Sequence, residues 1–157
     1  MKKGFTVVEL LVSIGILTVL FALTTINLTR LPSSASQSSI YDRLASDLRG
    51  QQTKAMVGYD SAAPPVGGVS YGVHFETTSY TLFNGSDYSS GDPSNFVVNL
   101  DPNLTFTEIK FPNSRVVFDA GSGNIAGYTV GSDSVSITDS LTGEVKTLRL
   151  NKYGATY

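Results

Sequence analysis

The sequence predicts an α+β protein: a long N-terminal helix, transmembrane at first and amphipathic afterwards, packed on an antiparallel β-sheet or a two-sheet β domain. Three patterns support this fold class. Apolar residues run with one charged interruption from Phe5 to Ile26. They then recur at helical spacing as far as Gly58, and from Val69 onward the apolar period is two, which is typical of β-strands. A chain of 157 residues has room for one such domain besides the N-terminal segment.

The N-terminal apolar segment has the length of a membrane-spanning helix. At ~1.5 Å per residue, a helix over residues 5–26 reaches roughly 33 Å, against a hydrocarbon core of ~30 Å. Lys2 and Lys3 precede the segment and Arg30 follows it, so the positive-inside rule predicts a cytoplasmic N-terminus and an extracytoplasmic domain. An ordinary secretory signal peptide has a shorter apolar stretch, of about 7 to 15 residues. Cleavage by a signal peptidase near Ala35 is the alternative.

The stretch KGFTVVELLVSIG resembles the N-terminus of type IV pilins and type II secretion pseudopilins. A short basic leader ends in Gly4, Phe5 follows it, Glu9 stands four residues further on, and apolar residues continue the segment. The resemblance implies that a prepilin peptidase cuts the bond between Gly4 and Phe5 and that the new Phe5 amine is N-methylated. It also implies assembly with other pilin or pseudopilin subunits into a helical filament.

Glu9 is a charged residue among apolar ones and therefore needs a partner. A carboxylate at the centre of a membrane costs about 2.5 to 3.5 kcal/mol, and less near the end of a helix. Cleavage before Phe5 frees a positively charged α-amine one turn away, where the helix dipole also favours a negative charge. In a staggered filament, Glu9 of an incoming subunit could meet the Phe5 amine of its neighbour and set the register. The alternative is that the amine at i−4 satisfies Glu9 within its own helix.

The chain beyond the apolar run is predicted to form an amphipathic helix that continues the first. Pro32 disfavours helix at Leu31, which predicts a kink or local unwinding there. Ser38 or Ser39 would cap the second helix if the break were complete, and Gly58 would end it. The loop SAAPPVGG then leads to the β domain. The apolar stripe of this helix consists of Ile40, Leu44, Ala45, Leu48, Ala55 and Met56.

Eight short stretches predict strands, because they are separated by clusters of Asn, Gly, Ser, Asp and Pro. Within LTFTEIKF the apolar phase slips, which predicts a bulge or bend near Thr107. Many short strands joined by turns favour two antiparallel sheets packed together. The stretches are VSYGVHFE, SYTLF, FVVNL, LTFTEIKF, RVVFD, IAGYTV, SVSIT and VKTLRL.

The order of a long helix followed only by strands resembles the GspH/FimT-like branch of minor pseudopilins. The supporting stretches are LASDLRGQQTKAM, YGVHF with YTLF, VVFDAGSGNIAG and GEVKTLRLNKYGATY. The chain has no cysteine, whereas a major pilin more often closes a loop near its end with a disulfide. This resemblance divides the chain into a leader (1–4), a transmembrane assembly helix (5–30), an amphipathic continuation (31–58) and an extracytoplasmic β domain (59–157).

The resemblance also implies the partners and the location. The partners are the prepilin peptidase, other pilin or pseudopilin subunits and the cytoplasmic membrane. The protein is then expected first in the inner membrane, as a single-pass protein with its C-terminus outside. Later it is expected in a pilus or pseudopilus, in the periplasm or at the cell surface.

Composition argues against catalysis. Without cysteine there is no thiolate metal site, and a Ser-His-Asp triad would have to be built around His74, the single histidine. We therefore predict that His74 is an exposed strand residue, and that the chain is not an enzyme and uses no cofactor. Four residues offer oxygen ligands for calcium, although the same residue types are common in turns. These are Asp87, Asp92, Asp119 and Asn124.

Two other functions remain open from the sequence: a DNA-binding minor pilin used in DNA uptake, and a membrane-anchored β domain that binds a protein partner. Three cations near the C-terminus could contact DNA phosphates, and Tyr153 and Tyr157 could stack on bases. The net charge of −2 does not favour nucleic acid. The three cations are Lys146, Arg149 and Lys152.

Overall fold

A computed structural model describes residues 6–25, 31–58 and 68–157 of the chain. Two helices come first, α1 over Val7–Thr25 and α2 over Leu31–Val57, and only strands and one short 3-10 helix, Pro112–Ser114, follow them in this part of the chain. The predicted α+β class is confirmed. The strands are β1 Tyr71–Phe75, β2 Ser79–Asn84, β3 Phe96–Asn99, β4 Leu104–Ile109, β5 Arg115–Phe118, β6 Ser134–Asp139 and β7 Val145–Arg149.

The strands form two sheets, and all their pairings are antiparallel. The larger sheet has the order β3-β2-β1-β5 and the smaller one β4-β6-β7. The two-sheet form of the prediction is therefore the one observed. The register between β4 and β6 shifts between Phe106 and Ile109, which confirms the bulge predicted near Thr107.

The hydrophobic core lies where α2 meets both sheets. The helix contacts β1 and β5 of the larger sheet and β6 and β7 of the smaller one. Phe106 joins the two sheets, because its ring lies edge-on to Phe75 at 5.5 Å and to Tyr80 at 6.3 Å. Each large apolar side chain buried here contributes about 1.5–3 kcal/mol. The buried apolar residues of α2 are Ile40, Leu44, Leu48 and Ala55, all of them predicted; Met56, also predicted, is exposed.

Three glutamines on α2 fix the helix against the sheets. Each uses its amide Nε2 to donate to two backbone carbonyl oxygens outside the helix, at distances of 2.6 to 3.2 Å. Because each amide bonds to two separate chain segments, the three together define both the rotation and the axial position of α2. The pairs are Gln37 with Ile137 and Glu144, Gln51 with Gly72 and Phe83, and Gln52 with Gly123 and Tyr153.

Replacing Gln51 by alanine is expected to lower the free energy of unfolding by about 1–3 kcal/mol. Gln51 is 2% exposed, and its loss removes a donor from two carbonyl oxygens inside the fold. Thermal melting of the full chain in detergent, followed by circular dichroism, measures the effect. Thr53→Ala, an exposed position on the same helix, is the matched control. Equal melting temperatures for the two variants would contradict a stabilising role for the Gln51 amide.

Leu31, where Pro32 was expected to disfavour helix, is the first residue of α2. The helix begins at Leu31 and includes Pro32, because the first turn of a helix has no intrahelical acceptor for its N–H groups and tolerates proline. Ser38 and Ser39 lie inside the helix and do not cap it. Gly58, with φ of 67°, follows the last helical residue, as the sequence predicts.

The stretch IAGYTV is not a strand, so that prediction is wrong. Only Ile125 pairs, in an isolated bridge with Phe118. Gly127 then takes φ of 62°, a left-handed conformation that turns the chain away from the edge of the larger sheet. The segment forms part of the connection between β5 and β6.

Candidate assembly site and candidate binding residues

The N-terminus of α1 is closed by a reciprocal pair of residues, Thr6 and Glu9. The Thr6 N–H and hydroxyl donate to Glu9 Oε2 at 3.2 and 3.1 Å, and the Glu9 N–H lies 3.3 Å from Thr6 Oγ1. This is a capping box, in which a threonine before the helix and a glutamate three residues later satisfy each other's backbone N–H groups. Glu9 therefore has a partner within its own helix, and that partner is Thr6.

The capping box was readable from the sequence, since T-x-x-E before an apolar run is its signature. The charge of Glu9 predicted a charged partner instead, the Phe5 amine. Phe5 and Gly4, the predicted residues of peptidase cleavage and N-methylation, lie outside the described residues. The pair formed by Thr6 and Glu9 is thus the portion of the candidate assembly site that the structure describes.

Beyond Glu9, α1 presents an almost entirely apolar surface. Its large apolar side chains from Val7 to Phe21 are each more than half exposed. The Ser13 hydroxyl donates to the Glu9 carbonyl oxygen at 2.8 Å, so this polar group is satisfied inside the helix. Within residues 6–25, 31–58 and 68–157, no helix combines the length and the hydropathy needed to cross a membrane.

His74 lies on β1 and is covered by an aromatic ring. Tyr88, from the loop between β2 and β3, stacks on the imidazole with a centroid distance of 4.0 Å. His74 is half-buried, so the prediction of an exposed strand residue is wrong. Its Nδ1 atom is buried and has no hydrogen-bond partner in the described part of the chain. Burial lowers the pKa of His74, the Glu76 carboxylate opposes this shift, and the Arg115 guanidinium adds to it.

Acidification is expected to destabilise the fold through His74. Its pKa is lowered in the folded state, so near and below the ordinary value of about 6.5 the unfolded chain binds more protons and stability falls as pH falls. We expect the melting temperature of the wild type to drop more than that of His74→Gln between about pH 8 and about pH 5. Parallel pH curves for the two proteins would show that His74 does not titrate differently on folding.

Two of the four candidate calcium ligands, Asp87 and Asp92, have hydrogen-bonded carboxylates, whereas Asp119 and Asn124 are joined through their backbones. Arg115 donates to Asp87 at 2.8 Å and holds the pKa of that carboxyl below its usual range. Hydrogen bonds from Ser94 lower the pKa of Asp92 in the same way. The Asp119 N–H donates to the Asn124 carbonyl oxygen at 2.8 Å. No group of three or more His, Cys, Asp or Glu side chains placed to hold a metal occurs in the residues described.

The candidate DNA contacts do not form one patch. Lys146 and Arg149 are three residues apart on β7, so their side chains project from opposite faces of the strand. Lys146 donates to the Ser38 hydroxyl of α2 at 2.6 Å. Arg149 and Lys152 are exposed. The Tyr157 hydroxyl donates to Asp133 at 3.2 Å, which ties one of the two proposed stacking tyrosines to the domain.

Comparison with known families gives one match, at the N-terminus. Residues 1–25 match the family described as the prokaryotic N-terminal methylation motif. No curated protein and no solved structure matches the chain. The matched segment contains Gly4, Phe5 and the pair formed by Thr6 and Glu9. It supports a type IV pilin-like protein with a prepilin-type N-terminus, and it does not extend into the β domain.

Proposed function

We propose that the chain is a prepilin-like structural subunit of a type IV pilus or a type II secretion pseudopilus, and that it is not an enzyme. The match of residues 1–25 to the N-terminal methylation motif carries this proposal. Prepilin peptidase cleaves the bond between Gly4 and Phe5, the Phe5 amine is methylated, and the mature chain remains in the inner membrane through residues 5–30 until it is assembled.

The contacts of Glu9 suggest how one carboxylate finds a partner both before and after cleavage by the prepilin peptidase. Before cleavage the capping box satisfies one carboxylate oxygen through Thr6, which lowers the cost of placing Glu9 next to lipid. After cleavage the Phe5 amine becomes a positively charged group at the same helix end. Glu9 of an incoming subunit then pairs with the Phe5 amine of a neighbour, and this pair sets the axial register of the filament.

The exposed apolar surface of α1 supports the same mechanism. Large apolar side chains are exposed all round α1, from Val7 to Phe21, so the helix gains free energy wherever lipid or other helices cover it. Transfer from the membrane to a bundle of like helices keeps that surface covered throughout. The Ser13 hydroxyl needs no partner in either environment, since it donates to the Glu9 carbonyl oxygen of its own helix.

We assign the subunit to the GspH/FimT-like minor pseudopilins. The observation that supports this assignment is the order of α2 followed by two antiparallel sheets, together with the absence of cysteine. A role in DNA capture has less support, because Lys146 is hydrogen-bonded to α2 and does not share a face with Arg149. In the filament, the β domain would coat the outside.

Intact-mass analysis of the protein from cells with and without a prepilin peptidase tests the proposal. In competent cells the expected mass is that of residues 5–157 plus one methyl group. In cells without the peptidase the expected mass is that of the complete chain. A protein that still begins at Met1 in competent cells would refute the proposal, and a chain that begins near residue 35 would support signal peptidase cleavage instead.

A further inference from the structure

A cleft of about 310 Å³ opens beside the start of β5, between the turn that precedes this strand and the connection that follows it. We call it the β5 cleft. Its volume is at the lower end of the range of small-molecule sites, which suits one or two rings. Six of its residues carry the argument: Ser70, Asn113, Arg115, Asp119, Tyr128 and Ser132.

The polar groups of the β5 cleft are of several kinds. They include a guanidinium with five N–H donors, a carboxylate that only accepts, an amide, and hydroxyls that do both. Arg115 is held in place at the rim, because its Nη2 donates to Asp87 at 2.8 Å and its side chain is only 24% exposed. Val117 and Ile125 provide apolar surface in the same cleft. This combination suits a ligand that carries both hydroxyl groups and C–H faces.

Tyr128 provides an aromatic ring in a fixed position. Its hydroxyl donates to Asp133 Oδ2 at 3.2 Å, and Asp133 is 4% exposed. The polar end of the phenol is thereby tied to the domain, while the ring lines the cleft. A ring held in this way can stack on the C–H face of a ligand with little loss of conformational entropy.

The turn that forms one wall of the β5 cleft has an unusual backbone. Asn113 and Ser114, neither of them glycine, both have φ of 53°. Left-handed backbone at consecutive non-glycine residues is unfavourable and persists where the surrounding structure holds it, often beside ligand sites. Asn113, two residues before Arg115, lines the cleft with it.

We propose that the β5 cleft binds a neutral saccharide. Paired donors and acceptors, here Arg115, Asp119 and Asn113, can bond to adjacent hydroxyl groups of a sugar, while Tyr128 covers its C–H face. The ligand is neutral because the single guanidinium of Arg115 is opposed by two carboxylates, Asp87 at the rim and Asp119 in the cleft, so an anionic ligand would be repelled.

Saturation-transfer NMR on the full chain tests this proposal. The protein is held in a zwitterionic detergent without a sugar headgroup, because an alkyl glycoside would itself compete for the cleft. The probes are neutral tetrasaccharides of glucose, galactose and N-acetylglucosamine. A tetrasaccharide of galacturonic acid serves as the charged counterpart. We expect transfer to at least one neutral probe and none to the acidic one.

Two variants locate the binding, and each has a matched control. Asp119→Asn and Tyr128→Ala are expected to weaken binding of the neutral probe about tenfold or more, which corresponds to about 1.4 kcal/mol or more. Asp42→Asn and Tyr153→Ala change the same residue types at exposed positions outside the cleft and should leave binding unchanged. If Tyr128→Ala fails to melt cooperatively, Asp119→Asn decides the question alone.

Three results would overturn the saccharide proposal. No transfer to any neutral probe, transfer only to the acidic probe, or unchanged binding in Asp119→Asn would each refute it. The cleft lies in the β domain and contains no residue of α1. Loss of saccharide binding would therefore leave prepilin processing intact, and the two proposals fail separately.

Discussion

Replacing Glu9 by alanine is expected to leave the protein in the membrane fraction and to reduce its incorporation into filaments at least about tenfold. Removing a carboxylate makes α1 more apolar, so membrane insertion is retained or improved. Incorporation falls because the neighbouring Phe5 amine loses its opposite charge and the register is no longer specified. A pair desolvated among helices contributes more than the tenfold equivalent of about 1.4 kcal/mol when one partner is removed. Shearing filaments from cells and comparing the sheared and membrane fractions measures both quantities.

Thr6→Val separates the two roles of Glu9, which are capping its own helix and pairing with the Phe5 amine of a neighbouring subunit. It removes the hydroxyl of the capping box but keeps the carboxylate and the Thr6 backbone N–H that donates to it. Loss of the cap should cost about 1 kcal/mol at the start of α1, and incorporation should stay close to that of the wild type. If Thr6→Val and Glu9→Ala lose incorporation equally, Glu9 acts only through its own helix, and the proposed pairing between subunits is wrong. Intact mass shows in the same samples whether both variants are still cleaved.

Much of the fold could be predicted because local periodicity follows burial. The apolar stripe of α2 placed Leu44 and Leu48 in the core, the phase slip in β4 predicted the bulge, and Gly58 marked the end of α2. Each of these signals lies within a few residues of its consequence. The strand predicted for IAGYTV is wrong because the prediction rested on local composition alone. That composition suits a strand, but Gly127 turns the chain after a single bridge.

Contacts between distant residues were not predictable from local patterns. Helical spacing places Gln51 on the apolar stripe, seven residues after Leu44 and four before Ala55. Nothing near it indicates that its amide reaches two carbonyl oxygens of the larger sheet. The covering of His74 by Tyr88 likewise depends on the path of the loop between β2 and β3. Two other features were available but missed: the T-x-x-E signature of Thr6 and Glu9, and the odd spacing that places Lys146 and Arg149 on opposite faces of a strand.

The β5 cleft is another feature that depends on contacts between distant residues and that sequence alone does not reveal. Its walls come from the turn before β5 and from the connection predicted, wrongly, to be a strand. Asp119 and Asn124 had been singled out as oxygen donors for calcium. In the structure Asp119 lines the same cleft as Arg115 and Tyr128, a setting in which a carboxylate can serve as a hydrogen-bond acceptor for hydroxyl groups.

The same chemical change at two glycines is expected to have opposite effects on stability. Gly50 lies in the exposed middle of α2, and a Cβ added there meets nothing within 4 Å. Gly50→Ala should therefore stabilise the protein by about 0.5–1 kcal/mol, because alanine has the higher helix propensity. A Cβ added at Gly72 would lie 2.4 Å from Phe83 Cζ and 2.6 Å from the Val116 carbonyl oxygen. Gly72→Ala should cost about 3 kcal/mol, which corresponds to roughly 10 °C in melting temperature.

The magnitude of the Gly72→Ala effect depends on which neighbour can move. The Phe83 ring could rotate away, but it is 2% exposed and packs against Tyr88 at 5.5 Å, which also covers His74. The Val116 carbonyl belongs to β5, which pairs with β1 directly beside Gly72, so it can move only if the ladder distorts. Thermal melting of both alanine variants beside the wild type measures the two effects. A Gly72→Ala protein that melts within a degree or two of the wild type would show that the close approach of Phe83 to β1 is not required for the fold.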